Sequence, residues 1–193
     1  MTTAQAHPNI ALVKYWGKQE RSGNLPATAN LSITLAGLTT TTQVTEAAAD
    51  TFVLNDATAE DPKLRRWLET LRGSFDIPPL AIHSSNDFPT SAGLASSASG
   101  FAALITAINA HCELGLDHAM CSEWARVGSA SAARSIFGGF VALVPPKWWA
   151  VPMAKKEHWP LEVVVAVTST QAKGVSTGEG MESSRHTSPY YNA

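Results

Sequence analysis

The run from Ser97 to Cys112 constrains the fold more than any other part of the chain. Its first turn is built of small residues, and Phe101, Leu104, Ile105 and Ile108 then recur at helical spacing. A helix this apolar has to be covered. The segments around it supply the cover. Ile10 to Tyr15 is a short apolar strand candidate, and Leu31, Ile33 and Leu35 alternate with Ser32 and Thr34 as a strand does. Gly37-Leu38 breaks that run, so the Thr-rich stretch Thr39 to Thr45 reads as a returning strand, and Thr51 to Leu54 as another. Asp61 to Gly73 is the clearest helix. Asp61 caps it, Pro62 suits its first position, Leu64, Trp67, Leu68 and Leu71 share a face, and Gly73 suits its end. Leu80 to His83 reads as a strand and Asp117 to Ser129 as a helix capped by Asp117. Phe140 to Val144 and Leu161 to Thr168 are apolar and β-rich, the second fit for a central strand. Strands first, then helix, strand, two adjacent helices and more strands make an α+β fold.

Composition narrows what such a fold does. With 193 residues, 45% of them hydrophobic and 16% charged, the chain has enough apolar material for a core without disulfides. A net charge of −2 gives no general basic field for nucleic acid, so an anionic ligand has to be met by a local cluster. No apolar run reaches the roughly 18 residues of a membrane span. The N-terminus lacks a signal-peptide pattern, and two cysteines make no disulfide framework. A reduced, cytoplasmic protein without nucleic-acid or membrane partners is the expectation. His111, Cys112, His118 and Cys121 match no usual zinc spacing, and no protein-only metal site is expected.

The most informative stretch is Pro89-Thr90-Ser91-Ala92-Gly93-Leu94-Ala95-Ser96-Ser97-Ala98-Ser99-Gly100, between a strand and a helix. A phosphate needs close donors and no nearby carboxylate. A helix N-terminus offers backbone N–H groups and a positive dipole end, glycine allows close approach, and serines add hydroxyls. The same run also suits a small-residue helix packed tightly on a sheet. Lys14 and Lys18 in Pro8-Asn9-Ile10-Ala11-Leu12-Val13-Lys14-Tyr15-Trp16-Gly17-Lys18 form a local positive patch or a solvated pair. Arg134 stands alone among the small residues of Gly128-Ser129-Ala130-Ser131-Ala132-Ala133-Arg134-Ser135. Burying it costs several kcal/mol unless an anion or hydrogen bonds compensate, and carbonyl partners are the other explanation.

Pro-x-x-x-Gly-Leu-x-Ser-Ser-Ala resembles the ATP-binding motif of the galactokinase, homoserine kinase, mevalonate kinase and phosphomevalonate kinase superfamily. Together with Asn24-Leu25-Pro26 and the segments around Lys14 and Arg134, it resembles the diphosphomevalonate decarboxylases in particular. The resemblance implies a ribosomal protein S5 domain 2-like N-terminal domain over residues 1–180. Residues 181–193 would begin a ferredoxin-like C-terminal domain that is largely missing. It implies ATP and Mg²⁺ as cofactors and mevalonate 5-diphosphate as substrate. That substrate is phosphorylated on its 3-hydroxyl and decarboxylated to isopentenyl diphosphate. Homodimerisation is a family-level expectation.

The residue roles the resemblance implies are these. Pro89, Gly93, Leu94, Ala95, Ser96, Ser97 and Ser99 wrap the ATP phosphates, with Ser97 orienting the transferred group. Asn9 helps hold the substrate carboxylate, Lys14 brings positive charge to the reacting hydroxyl, and Tyr15 and Lys18 face the diphosphate. Arg134 binds the carboxylate that leaves as carbon dioxide, and Ser129 and Ser131 line the substrate site. Lys14, Ser97 and Arg134 are thus the catalytic candidates. Ala133 stands where the family usually has cysteine, a packing difference. Arg185, in Ser184-Arg185-His186-Thr187, would contact the diphosphate. The family's catalytic aspartate lies in a Gly-Pro-Asn-type segment that nothing here matches, so little turnover is expected of these 193 residues alone. Two other readings stand beside this one. The first is a mevalonate 3-kinase or a phosphomevalonate decarboxylase. The second is a non-catalytic nucleotide- or diphosphate-binding remnant or split-protein half.

Overall fold

The computed structural model describes residues 1–89, 94, 96–166, 174–189 and 191. Two sheets and a layer of helices make up the α+β fold. The first sheet has the order β1-β4-β7-β5-β6 (β1, Thr2–Ala6; β4, Thr40–Glu46; β5, Thr51–Leu54; β6, Ala57–Thr58; β7, Leu80–Asn86). Only its β5–β7 pair is parallel. The second is antiparallel throughout, in the order β2-β3-β8-β9 (β2, Asn9–Val13; β3, Asn30–Thr34; β8, Phe140–Leu143; β9, Ala150–Ala154). Pro8 stands where the chain passes from the first sheet to the second; having no N–H, it cannot donate to either ladder.

The Thr-rich segment does not return along the strand before it. β4 pairs with β1 and β7, whereas β3 pairs with β2 and β8. Gly37 thus carries the chain between sheets rather than round a hairpin. Alternation identifies a strand, but it does not say which strand lies beside it.

Helix α1 (Pro62–Arg72) begins where Asp61 accepts from the N–H groups of Lys63 and Leu64, at 2.8 and 3.0 Å. It buries Leu64, Trp67, Leu68 and Leu71, as its spacing predicts. Gly73 ends it in right-handed geometry (φ −65°), so no left-handed cap is used. Helix α2 (Ser96–His111) carries the core, with Ala98, Ala102, Ala103, Ile105, Ala107 and Ile108 fully sealed. Helix α3 (His118–Gly128), capped by Asp117, crosses α2 closely at its end. A Cβ on Gly128 would lie 2.2 Å from the Phe101 ring, so only glycine permits that approach. A 3-10 helix over Ala130–Ile136 follows, and α4 (Thr177–Thr187) lies near the end of the chain. A domain boundary after residue 180 would fall inside α4.

Residues 161–166 of the run expected as a central strand form no strand; Val167 and Thr168 lie outside the described residues. Leu161, Val163 and Val165 line a groove of about 470 Å³ with Ile33, Leu35 and Trp159, while Val164 is 92% exposed. An apolar run reports a demand for burial, and here side-chain contact meets part of it without a ladder. The positions beside β7 and β8 are filled by other segments.

Candidate functional site: a cationic cavity between the sheets

Arg134 is the largest fully buried side chain, 2% exposed. The 3-10 helix points it at the inner face of the second sheet. There Nε donates to Ser32 Oγ (2.8 Å), Nη1 to Asn30 Oδ1 and Nη2 to Asn9 Oδ1 (3.1 Å). Asn9 is itself oriented by donating to Ser135 Oγ (2.7 Å) and to the Ser131 carbonyl (3.0 Å). All these partners are neutral. Among the described residues no carboxylate lies within ion-pair distance of Arg134. Burial pulls its pKa down to about 10, against the small opposing effect of Tyr15. The Tyr15 hydroxyl is pushed the other way, upward, by its own burial, which the Arg134 charge partly offsets. A desolvated cation without a counter-ion is costly, and here three neutral hydrogen-bond partners offset part of that cost.

The anion's space is present. Arg134 opens on a cavity of about 770 Å³, into which Asn9, Lys14, Tyr15, Lys18, Ser129 and Ser131 also project. Ser96 and Ser97, at the start of α2, form another part of the lining. The hydroxyls of Ser97, Ser129 and Ser131 follow one another at 3.3 Å spacings, joining the α2 end to the Arg134 end. A second helix start faces the same space through Ser176, Thr177 and Gly178 of α4. Its capping box uses the backbone N–H groups of Ser176 and Glu179. Two helix N-termini therefore turn their positive ends toward one cavity.

Lys63 also lines this cavity, and sequence reasoning missed it. It sits in the first turn of α1 with its ammonium 5.0 Å from the centre of the Phe101 ring. Its pKa is lowered, first by desolvation and then by the Lys18 charge, with Asp61 opposing. Partial burial lowers Lys18 likewise. One signal could have found Lys63: a cation in a helix's first turn opposes the dipole and needs another reason to be there.

Three expected residues are placed otherwise. Ser99 is sealed in the core, accepting from Thr40 Oγ1 (2.6 Å) and donating to the Ser96 carbonyl (3.3 Å). Leu94 is buried too. Arg185 is not part of the cavity lining. It lies on the exposed side of α4, paired with Glu182 (2.7 Å) and Glu20 (3.5 Å). Pro89 is exposed at the start of the loop, and Gly93 and Ala95 lie outside the described residues.

Beside Ser96 and Ser97 a second cavity of about 250 Å³ runs under α2, lined by Phe52, Leu54, Ile82 and Phe101 with Thr42 and Asn86. It is mainly apolar and adjoins the cationic one. The zinc candidates are dispersed: His111 bonds Thr2 (3.1 Å), His118 packs edge-on to Phe137, and Cys121 is buried beside Asn109. Among the described residues no group of three or more His, Cys, Asp or Glu could hold a metal, and no helix is long and apolar enough to cross a membrane.

Fold and cavity together define an α+β domain with a cation-lined cavity beside a smaller, mainly apolar one. Comparison with known proteins gives the lineage. The family model for the diphosphomevalonate decarboxylase-like N-terminal domain matches residues 6–147, and the chain belongs to that family. It is 38% identical to the diphosphomevalonate decarboxylase of Candida albicans over 95% of this chain and 58% of that protein. The Staphylococcus aureus mevalonate diphosphate decarboxylase structure superposes with a TM-score of 0.83 at 34% identity, over 98% of this chain and 61% of that one. A structure of MDDEF in complex with MVAPP, AMPPCP and magnesium gives a TM-score of 0.81 at 37% identity, over 93% and 59%. The chain therefore spans little more than half the length of the relatives it matches.

Proposed function

We propose that this chain is the ATP- and substrate-binding part of a diphosphomevalonate decarboxylase. The observation that carries the reading is the buried, carboxylate-free Arg134 opening on a cavity that also holds Lys14, Lys18, Lys63 and two helix N-termini. A substrate with a carboxylate at one end and a diphosphate at the other matches that distribution. Arg134 holds the carboxylate, and Asn9 helps by orienting the guanidinium through its Oδ1. Lys18, Tyr15 and the α4 N-terminus face the diphosphate. The nucleotide's base occupies the apolar cavity under α2, which places its phosphates at Ser96, Ser97 and Lys63.

The family reaction then asks three things of these side chains. The tertiary hydroxyl, whose proton passes to the family aspartate that nothing in these 193 residues matches, has to be held in line with the terminal phosphate of ATP, which Ser97 and Ser129 do from adjacent walls. Charge growing on the transferred phosphoryl group has to be met by fixed cations, the part of Lys14 and Lys63. When the 3-phosphate departs with the C–O bonding pair, the bond between the carboxylate and the adjacent CH₂ breaks, its pair forms a C=C bond to the carbon that carried the phosphate, and carbon dioxide leaves. Arg134 orients the carboxylate. Its three neutral contacts hold the guanidinium still without neutralising it, so the carboxylate need not displace a competing anion. Mg²⁺ fits this donor set as a phosphate-borne ion, with the Ser96 and Ser97 hydroxyls nearby, and when bound it neutralises phosphate charge. In the cationic cavity the only lining carboxylate among the described residues, Glu179, is committed to its capping box, and Asp61, which lines the apolar cavity, caps α1.

Calorimetry on the 193-residue chain with mevalonate 5-diphosphate, mevalonate 5-phosphate and mevalonate tests the reading. The diphosphate should bind at least about tenfold more tightly than the monophosphate, since it adds a charged group opposite Lys18. Equal affinities would turn the assignment toward a monophosphate decarboxylase or a 3-kinase, and absence of binding by all three would end it.

A further inference from the structure

Lys18 reaches the cavity from a loop that another buried arginine holds in place. The loop is closed on itself by Ala27 N–H to the Gly17 carbonyl (3.0 Å) and Gln19 N–H to the Leu25 carbonyl (2.9 Å). Its tip turns left-handed at Gly23 (φ 89°) and Asn24 (φ 54°). Asn24 donates from Nδ2 to the Val127 carbonyl at the end of α3 and accepts from Lys18 Nζ (2.7 Å) at Oδ1. Behind the tip lies Arg126, 8% exposed, with Nη1 donating to the Gly23 carbonyl. Its Nε is buried without a partner, and Glu123 is 4.0 Å away. A Cβ on Gly23 would stand 3.1 Å from Nη1, so glycine is what admits the guanidinium. Arg126 does not line the cavity. A buried cation satisfied this sparsely is poor value as a stability device, because hydrophobic groups of similar volume often do as well or better.

We propose that Arg126 is a positioning residue: by clamping the Gly23–Asn24 tip to α3, it fixes the Lys18 ammonium at the cavity and thereby sets the cavity's affinity for a diphosphate group. This rests on reading the cavity as a phosphate site. The linkage runs in one direction, from Arg126 to the Gly23 carbonyl, through the neighbouring Asn24 side chain, to Lys18. Removing the guanidinium frees the tip, loosens Asn24 from Val127 and lets the exposed lysine leave its Asn24 contact at the cavity wall.

The test has two readouts on the 193-residue chain. The first needs no ligand: the Lys18 side chain is titrated by carbon NMR at Cε. Arg126→Met should raise its midpoint toward the ordinary lysine value of 10.5, because a released ammonium is rehydrated. Arg126→Lys keeps one donor for the Gly23 carbonyl and should restore most of the wild-type behaviour. Gly23→Ala presses on Nη1 without removing the charge and should raise the midpoint as Arg126→Met does; it also carries the test if Arg126→Met does not fold. An unchanged Lys18 midpoint in both variants overturns the proposal, as does a shift in Arg126→Met alone, which would be loss of charge rather than loss of position. The second readout is calorimetric affinity for inorganic diphosphate. Arg126→Met and Lys18→Met should each weaken it about tenfold, and the double variant should be no weaker than Lys18→Met alone. Additive losses overturn the proposal. If the unaltered chain fails to bind diphosphate, the phosphate reading falls, and the Lys18 titration still decides the clamp.

Discussion

The two sheets differ in what lies against them: the first is packed by large apolar side chains, whereas the second adds a buried polar set to the apolar Val141 and Leu143 of β8. Against the first sheet lie Val44, Leu80 and Ile82 with Leu71, Ile105 and Ile108 from the helices, all at 1% exposure or less. Against the second lie Asn9, Asn30, Ser32 and Arg134, at 5% or less. Each large apolar side chain on the first side gains roughly 1.5–3 kcal/mol from burial. The polar set gains little, since its hydrogen bonds largely replace bonds to water and the guanidinium pays for desolvation. Stability explains the first region. On the function proposed above, the polar set around Arg134 is there for an anion.

Two substitutions can break that contrast. Ile105→Ala should cost about 2–5 kcal/mol in denaturant unfolding, the usual penalty for emptying a tight core site. Arg134→Met replaces a desolvated charge with an apolar chain of similar length. Its unfolding free energy should fall by less than that of Ile105→Ala, or rise, because the neutral Asn and Ser partners left behind can pair with one another or with water. Affinity for mevalonate 5-diphosphate should drop by at least about tenfold, the scale of one charge-assisted contact. If Arg134→Met unfolds the chain as Ile105→Ala does while leaving ligand affinity intact, then Arg134 is a structural residue and the two regions do the same job.

The contrast was only half legible in the sequence. The apolar half could be read directly: the spacing of Leu64, Trp67, Leu68 and Leu71 gave the α1 face, and the Asp61 and Asp117 caps are where expected. These depend on neighbours along the chain. Pairing partners do not, which is why the Thr-rich strand was expected beside the wrong neighbour and the 161–166 run was expected in a ladder. The polar half was legible through resemblance for Asn9, Lys14, Tyr15, Lys18, Ser129, Ser131 and Arg134, which share a cavity despite their separation in sequence. Lys63 escaped because α1 matches no motif and brings its lysine to the site only through packing on Phe101. Ser99 is not brought to the cavity because a helix turns residues two apart onto different faces. Ser97 faces the cavity, while two residues on the hydroxyl meets Thr40 in the core.

The smallest expected effect sharpens the comparison by supplying the control that Arg134 lacks: an arginine with its carboxylate. Arg72, in the last turn of α1, forms a two-pronged contact with Asp50 at 2.6 and 2.8 Å. The same carboxylate accepts the Leu80 N–H (2.8 Å) where β7 begins beside β5. The Arg72 hydrogen bond, ahead of the Leu80 bond and against some desolvation, holds the Asp50 pKa below its ordinary value of 3.8. A carboxylate with a depressed folded pKa stabilises above its unfolded value, and that contribution is lost as pH falls through the folded one. Both side chains are partly exposed, 26% and 39%, so water and salt screen the pair. Asp50→Asn should therefore cost only about 0.5–1 kcal/mol at neutral pH. The gap from wild type should narrow as pH falls below 3.8 and the carboxyl takes up its proton, and at neutral pH it should shrink with added salt. Parallel stability curves for the two proteins across that acid range would mean that the ion pair contributes nothing and that Asp50 acts only through its bond to Leu80.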